Sequence, residues 1–350
     1  MNDVAVLGAG AWGTALAIHL ARVGKRARLW GRDPALVDRL RRDRVNATYL
    51  PGAPIPEAVA PTESLEESVD GAGAIVLAVP SHGARALLRR AAPAVGPATT
   101  IVSATKGFET GTLNRMSEVI EQELGPARPV VVLSGPSFAA EVARAAPTAV
   151  SVAGRCGEVV RTVQQEFRAG ACFRLYASDD VVGVEVGGAA KNVIAIAAGV
   201  VDGLGLGPNA LAAVITRGLA EMSRLACALG ARRETLAGLS GLGDLVLTCT
   251  GGLSRNWRVG RELGRGRSLD EILAGMQSVA EGVRTTAAAL ELGGRHGVDL
   301  PITAQMGAVL AGRIEARAAV EELMLRRQRR ESEAGESEGG RSEAGVRGRS

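Results

Sequence analysis

The chain opens with a short apolar run, Val4 to Leu7. It passes at once into Gly8-Ala9-Gly10-Ala11-Trp12-Gly13 and a helix-forming stretch from Thr14 to Val23. Strand, glycine turn and helix in this order are what a dinucleotide site requires. Gly8 allows the tight turn, Gly10 lets the backbone approach a pyrophosphate, and Gly13 lets the helix pack on the strand. The helix N-terminus then offers N–H groups and the positive end of its dipole to phosphates. With 46 glycines in 350 residues such a pattern also arises by chance, so its place at the first strand carries the weight. The competing reading is an ordinary β-turn-α corner.

The second strand bears on which dinucleotide. Arg26 to Trp30 reads as that strand, and its tip is where the adenosine ribose is met. An NAD site usually places an acid there, whereas this chain has Gly31-Arg32-Asp33-Pro34. Asp33 is explained as a helix N-cap with proline at the first helical position. That leaves Arg32, whose guanidinium suits a 2′-phosphate. NADPH is favoured with NADH possible, and an exposed surface arginine is the alternative.

A chain of 350 residues can hold two domains, each with its own core. The four cysteines are widely spaced and form no CxxC, so neither disulfides nor a metal site is expected, and a reducing cytoplasm fits. The three histidines also stand apart, which disfavours histidine catalysis and leaves proton transfer to lysine. The apolar stretch Val193 to Val201 is far short of a membrane span, and the N-terminus carries no signal pattern, so membrane insertion is not expected. A net charge of +4 invites nucleic acid, but part of it sits in Arg326 to Arg330 and aromatics are only 3%. Base-stacking surfaces are therefore scarce, and the basic balance fits steering of a small anionic substrate.

Up to residue 178, apolar strands alternate with helices: Ala74 to Val79, Thr100 to Ala104, Val130 to Leu133, Ala149 to Val152 and Phe173 to Tyr176. Such runs predict a mostly parallel sheet covered on both faces. The α/β reading is an N-terminal Rossmann-like, doubly wound sheet over 1–178, followed by an all-helical domain over 179–325. The Glu, Ser, Gly and Arg tail over 326–350 is expected to be disordered. Apolar helical faces in the second half predict a homodimer. Lys106 lies in a loop after a strand, where open α/β sheets bind ligands, although a solvated loop lysine is the plain alternative.

Lys191 is the least ordinary residue. On a helix its neighbours are Gly187, Gly188, Ile194, Ala195 and Ala198, none of them polar. A lysine on such a face either snorkels out or is held by polar groups inside a cleft. Desolvation lowers its pKa toward neutrality, where it can exchange protons. Asp244, between glycines and an apolar run, is hemmed in, and pairing with a buried ammonium is one way to compensate it. Ser254 caps the next helix, and Arg255 in its first turn forms a ready phosphate or carboxylate pocket.

Taken together these segments have a familiar pattern. GAGAWGTALA (8–17), ATKG (104–107), SGPSFAAE (134–141), GGAAKNVIAI (187–196), RGLAEM (217–222), GLGDLVLTCT (241–250) and SRN (254–256) closely resemble bacterial NAD(P)-dependent glycerol-3-phosphate dehydrogenases. The resemblance runs to about residue 325. It implies reduction of dihydroxyacetone phosphate to sn-glycerol 3-phosphate in the cytoplasm, for phospholipid synthesis. By the same resemblance Lys191 gives the proton while the nicotinamide gives its hydride, and Lys106 contacts both cofactor and substrate. Gly135, Ser137, Asn192, Asp244, Thr248, Ser254, Arg255 and Asn256 are implied at the substrate, with Asp244 joining the two lysines in catalysis. Gly8, Gly10, Trp12, Gly13, Arg32, Ala139, Arg255, Val279 and Glu281 are implied at the cofactor.

The chain departs from the pattern in places. Ala11 stands where the family often has serine, Ala280 replaces a bulkier apolar residue, and the tail has no counterpart. Two other functions stay open: a lysine-using hydroxyacid dehydrogenase and a non-catalytic NADP(H) sensor. The Ser254-Arg255-Asn256 segment argues against the first. The presence of Lys106, Lys191, Asp244 and Arg255 together argues against the second.

Overall fold

The first strand, β1 (Asp3–Leu7), shows why both faces of the sheet are covered. Successive side chains of a strand point to opposite faces. Val4 and Val6 enter one hydrophobic core and Ala5 and Leu7 enter another, all without exposure to solvent. The computed structural model describes residues 2–276 and 280–326. In chain order the remaining strands are β2 (Arg26–Trp30), β3 (Val45–Asn46), β4 (Leu50–Pro54), β5 (Val59–Thr62), β6 (Ala74–Leu77), β7 (Thr100–Ser103), β8 (Val130–Ser134), β9 (Thr148–Ala153) and β10 (Phe173–Ser178).

Eight of them form one sheet in the order β10-β9-β8-β7-β6-β1-β2-β5, and β3 pairs with β4 in a small separate hairpin. Every pair in the large sheet is parallel except β8 with β9. The carboxyl ends of β1, β2, β6, β7 and β8 therefore share one edge. Between β1 and β6 the chain winds outward in opposite directions, which opens a ligand crevice at that point.

The predicted strands are present with boundaries moved by one or two residues, while β3, β4 and β5 are additions to them. β5 contains Pro61, and proline within a strand argues against a strand unless it lies at an edge. Here β5 is the edge strand beside β2. The first helix begins at Ala11, three residues earlier than its composition predicts. All four cysteines are free.

Beyond β10 the described residues form helices. Asp180 accepts from the Gly183 N–H at 2.8 Å and starts the helix Val181–Gly203, called here the lysine helix. By length and mean hydropathy it could cross a membrane, but 89% of its apolar window is buried inside the protein. Around it pack Gly207–Ala228, Arg255–Gly264 (the arginine helix), Glu281–Arg295 and Pro301–Leu310.

The lysine and arginine helices meet backbone to backbone. A Cβ on Gly199 would strike the Trp257 carbonyl oxygen, one on Gly203 that of Arg261, and one on Gly260 that of Ile196. On Gly264 it would come within 2.7 Å of the Val200 oxygen. Four glycines thus set how closely the two site-bearing helices approach. Val279 and the tail beyond Arg326 lie outside the described residues, whereas Arg326 itself pairs with Asp299 at 2.8 Å.

Candidate active site

At the crevice the glycine turn has the shape that its sequence requires. Gly8 has φ +122°, and a Cβ there would sit 2.5 Å from the Ala78 carbonyl oxygen. A Cβ on Gly13 would collide with the Gly8 oxygen, while Gly10 has nothing within 4 Å. The first helix thus packs tightly on the turn and leaves its own N-terminus open. No side chain caps it at Gly10, and no acid lies in its first turn. This cradle fits a dinucleotide pyrophosphate.

Trp12 packs its ring against the core, and its indole N–H is buried without a partner. Arg32 is exposed at the tip of β2, directly before Asp33, which caps the next helix by accepting from the Ala35 N–H at 3.0 Å. Burial, followed by the charges of Arg284 and Arg32, holds the His82 imidazole below its ordinary value. Three basic side chains therefore share this rim. Nothing in the local sequence pattern marks His82 or Arg284, and only the fold brings them to Arg32.

A cluster of charged side chains forms where the loops after β7 and β8 meet the lysine helix. Lys191 and Asp244 are both buried and directly paired, and the Lys191 ammonium also donates to the Thr248 hydroxyl at 2.7 Å. Thr248 in turn donates to the Asp244 carbonyl at 2.6 Å, which fixes the direction of that bond. Lys106 donates to the other carboxylate oxygen of Asp244 at 2.5 Å and to the Gly135 carbonyl at 3.3 Å. Ser137 donates to the same Gly135 carbonyl at 2.9 Å. Gly135, at φ +146°, lies so close to β9 that a Cβ would fall 2.9 Å from the Val150 Cα.

Local chemistry explains how Asp244 arrives there. A π-type turn over Leu239–Gly243 leads straight into the helix Asp244–Thr250, and a Cβ on Gly241 would strike the Leu236 carbonyl. Such turns recur at functional sites because they redirect one side chain. Burial pulls the Lys191 ammonium down to about 8, against the opposing pull of Asp244 and with a smaller lowering from Lys106. One carboxylate thus faces two ammonium groups, leaving the pocket with positive charge in excess.

A second network lies beside the first. Asn256 donates to the Asn192 side-chain oxygen at 2.9 Å and accepts from the Gly282 N–H at 3.0 Å. Ser254 caps the arginine helix by accepting from the Trp257 N–H at 3.2 Å, and Arg255 opens that helix with an exposed side chain. Glu281, at the start of its own helix, accepts from the Ser81 hydroxyl at 3.1 Å. Burial raises the Glu281 carboxyl, opposed by the Ser81 bond and then by the charge of Arg255. Sequence reasoning leaves Ser81 unassigned, and its position just past β6 is the signal that could have found it. Ala139 begins the short helix Ala139–Ala143, half-buried at the end of the β8 loop.

Comparison with known proteins agrees with this geometry. Models described as the N-terminus and C-terminus of NAD-dependent glycerol-3-phosphate dehydrogenase match residues 3–159 and 180–321. The chain is 52% identical over 330 residues to a protein of Koribacter versatilis named glycerol-3-phosphate dehydrogenase, NAD(P)+, covering 93% of this chain and 98% of that one. A Geobacillus kaustophilus protein of the same name is 48% identical over 332 residues, covering 95% and 96%. The crystal structure of glycerol-3-phosphate dehydrogenase from Coxiella burnetii superposes with a TM-score of 0.89 at 42% identity, covering 93% of this chain and 99% of that one.

Proposed function

The chain belongs to the NAD-dependent glycerol-3-phosphate dehydrogenase family, and on that premise we propose that it reduces dihydroxyacetone phosphate to sn-glycerol 3-phosphate, reversibly, with Lys191 as proton donor. The product is the backbone of glycerophospholipids. Residues 1–178 serve as the dinucleotide-binding part and 179–325 as the substrate part, joined at the lysine helix. We place the reaction in the cytoplasm, which four free thiols fit.

One observation carries the mechanism. An ammonium has three N–H donors, and Lys191 spends one on Asp244 and one on Thr248. The third remains for a ketone oxygen. A dinucleotide held by its pyrophosphate in the glycine cradle would supply the hydride from its nicotinamide. As negative charge grows on the ketone oxygen, Lys191 donates to it and then releases its proton, and the surplus positive charge of the two-lysine cluster stabilises that oxygen in advance. Asp244 holds both lysines in place, Lys106 lies between the cofactor edge and the substrate, and Gly135 with Ser137 shapes the wall opposite. Thr248 fixes the direction of the Lys191 ammonium, while Ser254 sets the first turn from which Arg255 takes the phosphate. Arg32, with His82 and Arg284 on the same rim, favours a 2′-phosphate and hence NADPH over NADH.

Replacing Arg255 by alanine tests the phosphate assignment. The variant has no guanidinium to donate charge-assisted hydrogen bonds to the phosphate. Its KM for dihydroxyacetone phosphate is expected to rise roughly 10–100-fold, with a smaller effect on the KM for NADPH. An unchanged KM would place the phosphate elsewhere. The pH profile tests the proton donor. Lys191 must enter the reduction protonated, so kcat/KM for reduction falls as pH rises through about 8. The reverse oxidation needs the neutral amine and rises through the same pH. Profiles that move together in both directions would remove Lys191 from proton transfer.

A further inference from the structure

Asn256 stands one residue from the proposed phosphate-binding arginine, and its side-chain amide is engaged at both its nitrogen and its oxygen. Both partners are themselves neighbours of site residues: Asn192 follows Lys191, and Gly282 follows Glu281. One buried amide therefore ties together the lysine helix, the arginine helix and the helix Glu281–Arg295. The assignment of its atoms is unambiguous. Gly282 offers an N–H, so the atom facing it is the oxygen, and the NH₂ group faces the Asn192 oxygen.

The packing leaves no slack at this junction. A Cβ on Gly282 would lie 2.7 Å from the Asn192 carbonyl oxygen, 2.9 Å from Asn256 Oδ1 and 2.9 Å from Ile196 Cδ1. On the far side Glu281 reaches Ser81 at the tip of β6. A continuous path thus runs from the dinucleotide crevice through Ser81, Glu281, Gly282 and Asn256 to Asn192 and Lys191.

We infer that Asn256, beyond the substrate contact its resemblance implies, couples the cofactor end of the site to the proton-donor end through its two hydrogen bonds to Gly282 and Asn192. This rests on the dehydrogenase reading above, in which Glu281 lies at the cofactor and Lys191 at the ketone. A dinucleotide that orders Glu281 orders Gly282, and the amide passes that order to the lysine helix and to Arg255. By linkage, cofactor and substrate then strengthen each other's binding equally. No other side chain of this shape serves both arms. Aspartate keeps the acceptor for Gly282 but has no N–H for the Asn192 oxygen, so the native bond to the lysine helix is lost.

The test uses the full chain and two readouts: the Kd of NADPH alone, followed by nicotinamide fluorescence, and the kcat and KM for dihydroxyacetone phosphate. Turnover by the parent protein is established first, and its absence would sink the dehydrogenase reading itself. Asn256→Ala cuts both arms, so the Kd for NADPH alone is expected to rise about tenfold and the mutual strengthening with glycerol 3-phosphate to vanish. Asn256→Asp keeps the Gly282 arm, so NADPH binding stays within about twofold while kcat falls about tenfold. Should Asn256→Ala fail to fold, Asn192→Ala cuts only the lysine arm and is expected to match the aspartate variant. Unchanged NADPH affinity in a folded Asn256→Ala, with only a raised KM for the phosphorylated ketone, would overturn the coupling role. An aspartate variant whose NADPH affinity falls as far as that of the alanine variant would overturn the division between the two arms.

Discussion

Lys191→Ala is expected to lower kcat by roughly 10²–10⁴-fold, the usual worth of a positioned general acid, and to leave the Kd for NADPH nearly unchanged. In the proposed mechanism the lysine acts on the ketone oxygen, and its hydrogen bonds go to Asp244 and Thr248. The protein should survive the change. Removing one partner of a buried pair usually strands a charge at a cost of about 3–5 kcal/mol. Here Asp244 keeps Lys106 at 2.5 Å, so the carboxylate is not left alone and the loss is smaller. Lys191→Arg is not expected to restore activity, because a guanidinium does not release its proton near neutral pH. Steady-state rates and a fluorescence titration on the same preparation check both halves. Normal turnover by the alanine variant would remove Lys191 from the mechanism.

The second large effect concerns stability. Gly260→Ala drives a methyl group into the Ile196 carbonyl oxygen at the seam between the lysine and arginine helices. Backbone cannot yield as a flexible side chain does, so the helices must move apart. Overpacking of this kind costs about 3 kcal/mol, which for a chain of this length corresponds to a fall in Tm of roughly 4–5 °C. Because Lys191 and Arg255 sit on those two helices, the separation also moves the proposed proton donor away from the proposed phosphate anchor. Activity should therefore fall even well below the Tm. Gly252→Ala, in the loop before the arginine helix where a Cβ meets nothing within 4 Å, serves as the control and should melt near the parent. A Gly260→Ala protein with parental Tm would show that the seam is not tight.

Much of this is legible in the chain, and the reasons are specific. Continuous apolar strands and a glycine turn are local signals, and so is Asp33 before Pro34, which accepts a backbone N–H as its residue type predicts. Lys191 can be singled out because its helical neighbours are apolar, and that reasoning also anticipates a carboxylate partner in Asp244. Lys106 is marked by its place after β7, but its direct pairing with Asp244 is not. Lys106 lies 138 positions from Asp244 in the chain, and only the packing of the β7 loop against the π-type turn brings them together.

Ser81 and Glu281 are 200 positions apart and equally beyond any local rule. The edge strand β5 is hidden by its own Pro61. Asn256 is placed at the substrate by resemblance, yet its side chain is engaged on both sides within the fold. A functional residue and its geometry are thus separate pieces of information.

The most direct measurement follows the loss of nicotinamide absorbance when the purified protein is mixed with dihydroxyacetone phosphate and NADPH, repeated with NADH. Rapid oxidation with the phosphorylated ketone is the expected result, faster with NADPH if Arg32 receives the 2′-phosphate. Tight NADPH binding with no oxidation by dihydroxyacetone phosphate would contradict the central claim and point to a different ketone.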